Sequence, residues 1–477
     1  HALFTGHKPL RAFHWSPTTN HQSPVLEMSV ARLRPFRGYR YNVEKVGDLG
    51  AVVSPPYDVI PDELRRELHR RHPHNVIRLI LGEDRTGDDA AENRYLRARR
   101  YFQEWQQTGI LLRETAPAFY VYEQQYPWKR GGQRVRTGLI GAVGLEEYGA
   151  HVVFPHERTM PGPKADRLSL MQALPVNLEQ IFCFYPGPSG SITDVLRSAT
   201  RTDPLCDFGD EAGVRHRLWL LQKPEAIAYL VAAFRDRPLF IADGHHRYET
   251  ALTFREEMRR ADATGGPEKA YNFVMMTLVS IEDEGLTVLP THRLIRVEWG
   301  RAGAEIVRHL EPHFSREERV IGHGEGGLQT YLAEMEERGR RGHVFGLYTG
   351  GETFTLLTLK DPGGVERLTE RGGSRGAQAL DVVILEHLIF QRVLQLTDPE
   401  MIRFTQDEEV AVREVRHGRA AAAFFLNPIP VTQIAAAVST GQRLPPKSTY
   451  FYPKLLSGLV FFQVDPREGL DVSTKSL

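Results

Sequence analysis

Leu239-Phe240-Ile241-Ala242 runs straight into Asp243-Gly244, and then into the polar stretch His245-His246-Arg247-Tyr248-Glu249. A short apolar run that ends in Asp-Gly and continues with helical spacing predicts a buried strand over 238–242, a tight turn, and a helix over 246–260. Unpaired N–H groups at such a helix start attract anions, and glycine lets a phosphate approach closely. His245, His246 and Arg247 add donors, and an arginine offers a planar fork for phosphate oxygens. Asp243 can orient a histidine, coordinate a metal or cap the helix. The same residues read equally well as an Asp-capped strand–helix turn with exposed histidines.

Alternating strand and helix signals elsewhere predict an α/β (α+β) chain. Helices are expected at Asp62–Arg71, Asp88–Gln107, Lys164–Leu174, Glu225–Arg235 and Leu380–Leu394. Strands are expected at Val30–Phe36, Val76–Leu81, Tyr271–Ile281, Val344–Leu347 and Thr353–Leu359, with a hairpin joining Ala118–Tyr126 to Val135–Glu146. The 477 residues suit two or three domains at about 100–200 residues each. We divide them into a disordered extension (1–28), an α/β core domain carrying the candidate site (29–299) and a smaller C-terminal α/β domain (300–477). Met28 is read as a plausible start.

Charge and cysteine content remove several classes. Sixty Lys+Arg balance sixty Asp+Glu, whereas bulk binding of nucleic acid needs a basic excess. No apolar run reaches the about 20 residues that span a bilayer. The expectation is therefore no nucleic-acid and no membrane partner. Cys183 and Cys206 are too few for a disulfide scaffold and fit a reducing cytoplasm. Cys183 lies in an apolar run and reads as core. Gly322–Gly327 spells a dinucleotide fingerprint and Asp207-Phe208-Gly209 a kinase triplet, but neither has its context. They read as a glycine-rich linker and a coincidence.

Three further segments carry candidate chemistry. Pro155–Arg167 packs ionisable residues between prolines, which stiffen it. His156 and Glu157 are candidate acid–base groups, and Arg158, Lys164 and Arg167 candidate anion clamps. The alternative is a solvated loop leading into a helix. Ser54-Pro55-Pro56-Tyr57-Asp58 follows a strand and projects Tyr57 and Asp58 where α/β ligands bind, or forms a turn with a packed tyrosine. Pro445–Lys454, with Lys447, is either an anion loop or an aromatic plug.

These stretches, with Arg34–Gly38, Asn75–Leu79 and Pro290–Arg293, resemble the domain of unknown function 1015 family. It is a bacterial and archaeal family described as associated with serine biosynthesis. Asp243–Arg247 also resembles the Gly-x-x-Arg phosphate turn of the ParB/sulfiredoxin fold, which includes free-serine kinases. That resemblance implies a ParB/sulfiredoxin-like nucleotide-binding core. In it Asp243, Gly244, His245, His246 and Arg247 hold ATP or ADP with Mg²⁺. No cysteine stands in the turn, unlike sulfiredoxin, and no basic helix-turn-helix is evident, unlike the partition proteins.

The function expected is a nucleotide-dependent phosphotransferase on a small hydroxy amino acid, serine kinase-like, or the related phosphoester hydrolase. Catalysis falls to Glu157, Asp58 and His156. The small anionic or amino-acid substrate falls to Arg158, Lys164, Arg167, Lys447 and Tyr57, with no protein-held metal. Two alternatives remain open: a non-catalytic nucleotide- or metabolite-binding regulator, and a metal-dependent hydrolase on His156, Glu157, Asp243 and His245. The sequence leaves the oligomeric state open, a homo-oligomer included.

Overall fold

Phe119–Trp128 and Gly132–Gly144 are rich in β-branched and aromatic residues and pair in antiparallel register, Tyr120 opposite Ile140 and Trp128 opposite Gly132. This hairpin is the spine of a nine-stranded sheet in the computed structural model, which describes residues 30–128, 131–301, 303–320, 325–363 and 380–470. On one side the hairpin continues through Arg215–Leu221 to the edge strand Cys206–Gly209. On the other it continues through Phe273–Ser280, Ile181–Tyr185, Leu239–Asp243 and Val153–Phe154. Every residue of Ile181–Tyr185 and Phe273–Ser280 is buried, as strands covered on both faces require. The sheet is mixed: these two strands run parallel, while Leu239–Asp243 is antiparallel to Ile181–Tyr185. The chain is thus of mixed α/β construction, as its pattern predicts.

A second, antiparallel sheet orders Phe314–Val320, Thr353–Leu359, Val344–Tyr348, Ala422–Phe425, His292–Ile295 and Ile402–Thr405. It begins at His292, before the expected boundary at 300. The chain after it does not stay with it. Tyr450–Tyr452 pairs with Thr287–Leu289, Ser457 bridges Ser54, Phe461 bridges Tyr39, and Phe462–Gln463 pairs with Val176–Asn177. The last described segment is thus built into the first sheet's surroundings. One apolar cluster spans both sheets, from Phe182 and Phe451 to Phe345 and Leu388.

Three elements differ from the pattern-based reading. Val76–Leu81 holds a helical turn, Ile77–Ile80, because Asn75 Oδ1 accepts the Ile77 N–H at 2.9 Å and starts a helix where the apolar run suggests a strand. The helix expected from Asp88 starts at Arg94, where the Asn93 side chain caps the N–H groups of Tyr95 and Leu96. The helix after Leu380 is α-helical only over Asp381–Ile384 and widens to a π-helix over Leu385–Leu394. The extension 1–28 and residues 322–324 of the Gly322–Gly327 stretch lie outside the described residues.

A charged recess at a strand–glycine–helix turn

The strand Leu239–Asp243 is buried until its last residue, and Gly244 turns the chain at φ +95° into the helix His245–Ala261. That conformation favours glycine, and a Cβ there would also sit 3.1 Å from the guanidinium carbon of Arg247. Arg247 folds back over the turn. Its Nη2 donates to Asp243 Oδ2 at 2.7 Å and its Nη1 to the Gln180 carbonyl at 2.5 Å. Lys454 Nζ holds the other Asp243 oxygen at 2.6 Å. Burial alone would push the Asp243 pKa up, but Lys454 and Arg247 outweigh it and hold the carboxyl well below its usual range.

The histidines are fasteners. His156 Nδ1 donates to the Ile241 carbonyl at 2.7 Å, so Nε2 carries the lone pair and accepts from the Thr449 hydroxyl at 2.8 Å. The His156 backbone N–H donates to His245 Nε2 at 3.2 Å, and the Met160 N–H donates to His246 Nε2 at 2.9 Å. These contacts need neutral rings. Burial pushes His156 down to about 4 and His245 well below its ordinary value. Glu249, one turn on, takes the Thr159 hydroxyl at 2.5 Å and Lys164 Nζ at 2.9 Å. The helix start thus grips residues 156–164 with its side chains. No acceptor among the described residues takes the N–H groups of His245, His246 or Arg247.

Two more expected clamps are structural in the same way. Arg167 is buried, donates to the Ile80 carbonyl at 2.7 Å, pairs with Asp166, and lies 4.1 Å above the Tyr57 ring. The Tyr57 N–H donates to Glu179 Oε1 at 3.0 Å, and the Ser457 hydroxyl donates to the same oxygen at 3.0 Å. Glu179 thereby joins the Ser54–Asp58 loop to the returning C-terminal segment.

Four expected residues keep their functional groups unengaged: Asp58, Glu157, Arg158 and Lys447. None forms a side-chain hydrogen bond among the described residues. Glu157 is part-exposed and lies 4.0 Å from the neutral His156 ring, which gives no ion pair. Burial, with Asp243 and Asp58 adding to it and Lys447 and Lys454 opposing it, pushes Glu157 up to about 7. Burial and the Asp243 charge also raise Asp58, against Arg247 and Lys454. Asp58 is solvent-exposed. Lys447, exposed, is held in the left-handed region at φ +57°. Asp58, Glu157, Asp243, Arg247, Lys447 and Lys454 thus form one group of mutually felt charges.

Two residues around this group rest on weak sequence signals. Lys454 stands only as part of an aromatic–basic run, and Glu179 has no local signal at all. Both ring nitrogens of His156 and both oxygens of Asp243, residues of the metal-hydrolase alternative, are engaged in hydrogen bonds within the protein. No three His, Cys, Asp or Glu side chains among the described residues form a set able to hold a metal. A cavity of about 530 Å³ lies elsewhere, at the Tyr185 and Ser280 ends of the central strands. Glu123, Asp194, Glu282, Asp283 and Glu284 line it against a single Arg197, so it repels anions. No helix of the described residues is long and apolar enough to cross a membrane.

A family model described as "Protein of unknown function (DUF1015)" matches residues 33–383. No curated protein matches. Among solved structures, a free serine kinase in complex with AMP is similar at 14% identity and TM-score 0.29, over 65% of this chain and 89% of that one. A conserved hypothetical protein from Pyrococcus furiosus is similar at 12% identity and TM-score 0.29, over 65% and 92%. A C-terminally truncated SbnI from Staphylococcus aureus is similar at 9% identity and TM-score 0.30, over 67% and 85%.

Proposed function

The chain belongs to the DUF1015 family of proteins of unknown function, so its activity has to be read from the recess, and we propose that it transfers a phosphoryl group from a nucleotide to the hydroxyl of a small amino acid such as serine. The observation that carries this reading is Glu157: a part-exposed carboxyl without a hydrogen bond, pushed up to about 7, beside the unpaired cation Lys447. A general base works best when its pKa lies near the working pH. Phosphoryl transfer asks a protein mainly for positioning and charge neutralisation.

The step balances as follows. The Glu157 carboxylate takes the hydroxyl proton, the hydroxyl oxygen bonds to the terminal phosphorus, and the bond from phosphorus to the bridging oxygen breaks. The shortened nucleotide leaves with the electron pair. Lys447 and Arg158 neutralise phosphate oxygens, and the free N–H groups at the start of the His245 helix supply further donors. Asp58 shares the field of Glu157 and orients the substrate's ammonium group. A magnesium ion would arrive on the nucleotide's phosphates, whose oxygens are its natural ligands. Serine is the first substrate to try because the Asp243–Arg247 turn resembles that of free-serine kinases.

Incubation with ATP or ADP and L-serine, followed by ³¹P NMR, tests the reading. Phosphoserine is the expected product, and absence of both product and nucleotide binding rejects it. The regulator alternative predicts nucleotide binding without turnover, unaffected by Glu157→Gln. The phosphoester-hydrolase alternative predicts that phosphoserine and water give serine and inorganic phosphate, with no nucleotide required.

A further inference from the structure

We propose that Arg293 is an oxyanion-binding fork that the second sheet contributes to the recess, engaging a carboxylate or phosphate of the ligand so that one molecule bridges both sheets. The proposal rests on the recess being a ligand site.

Five arginines are buried among the described residues: Arg97, Arg136, Arg167, Arg255 and Arg293. A buried cation is costly unless it is paired and hydrogen-bonded. Arg97, Arg167 and Arg255 each pair with a carboxylate. Arg136 has no carboxylate partner but donates to the Gln124 side chain and to the Tyr452 and Pro453 carbonyls. Arg293, only 3% exposed, makes a single hydrogen bond, from Nη1 to the Thr291 carbonyl two residues away. No carboxylate among the described residues lies within ion-pair distance. Its Nε and Nη2 are not among the sealed, unsatisfied atoms, so they keep solvent contact. The guanidinium rests 4.8 Å from the ring centroid of Phe404, a residue 42% exposed, so this stack lies at an opening rather than in a sealed core.

Position and field connect it to the recess. Arg293 follows Thr287–Leu289 by four residues, and that strand pairs with Tyr450–Tyr452, next to Lys454. The carboxylates whose fields reach Arg293 are Glu386 and the recess base Glu157. An arginine with two unused donors in that place matches a planar or tetrahedral oxyanion. The amino acid's carboxylate and the nucleotide's phosphate are the two sources.

Calorimetry on the full chain separates them, using L-serine, L-serinamide, ADP and inorganic phosphate as probes. Arg293→Met should weaken one class about 10- to 100-fold, the loss expected for a charge-assisted bond. Loss for serine, with serinamide and ADP unchanged, assigns the carboxylate. Loss for ADP and phosphate assigns the phosphate. Arg293→Met should also raise the melting temperature, since an apolar side chain is easier to bury than an unpaired cation. If Arg293→Met does not fold, Arg293→Lys keeps a charge but loses the fork and should weaken the same probe about tenfold. Unchanged affinities in either folded variant overturn the assignment while leaving the recess reading intact. A wild-type chain that binds none of the probes overturns both.

Discussion

Lys454 Nζ and Asp243 Oδ1 meet at 2.6 Å although they stand 211 positions apart in the sequence. Arg247 holds the other oxygen, and both cations are mostly shielded from water. Removing one partner of a buried pair exposes the cost of the charge left behind. Lys454→Met should therefore destabilise the fold by about 2–3 kcal/mol, toward the low end for buried pairs because Arg247 remains. The double variant Asp243→Asn, Lys454→Met should cost clearly less than the sum of the single variants. Urea titration measures this, and additive losses would mean the contact contributes nothing.

Gly244 predicts a sharper local effect. Alanine at φ +95° is strained, and its Cβ would press on Arg247. Gly244→Ala should cost about 1–2 kcal/mol. It should also loosen the grip on residues 156–160, seen as faster hydrogen exchange at the His156 and Met160 amides. Unchanged protection there would detach the turn from that loop.

The rate should follow the ionisation of Glu157. A base must be deprotonated to act, so kcat/KM should rise with pH through a midpoint near 7. Glu157→Gln should lower kcat about 10²- to 10⁴-fold with ADP affinity preserved. A pH profile that survives this substitution would assign the base elsewhere.

Acid stability separates two opposed groups. His156 titrates near 6.5 when unfolded and near 4 when folded, so its contribution is complete above 6.5 and is lost as pH falls through 4. His245 acts in the same direction. Glu157 is shifted the other way, from 4.5 to about 7, so its contribution is complete below 4.5 and is lost as pH rises through 7. His156→Gln should flatten the fall in denaturation midpoint between pH 6.5 and 4, and Glu157→Gln should steepen it. The opposite order would contradict both protonation states.

What the sequence makes legible is local. The strand–Gly244–helix turn stands within a residue, and the long hairpin within three residues, of where periodicity puts them, because each is specified by neighbouring residues. Val76–Leu81 misleads because an apolar run has no period of its own, and Asn75 decides it through bonds to Ala51, Val53 and Ile77. Composition marks His156, His245, Arg167 and Lys164 as reactive types, but their partners use them up. The pairings of Glu179 with Ser457 and of Asp243 with Lys454 join distant positions, and no local pattern encodes them.

The returning segment sets an order of events in synthesis. A ribosome completes the strand, the turn and the helix of the recess, which ends at Ala261, nearly two hundred codons before it adds Lys454. Until then Asp243 has only Arg247 to neutralise it, and Ser54 and Glu179 lack Ser457. A nascent chain stalled within the second sheet therefore carries the acidic half of the recess without its closing lysine. A chain shortened before Lys454 would lack both the lysine that closes on Asp243 and the serine that binds Glu179.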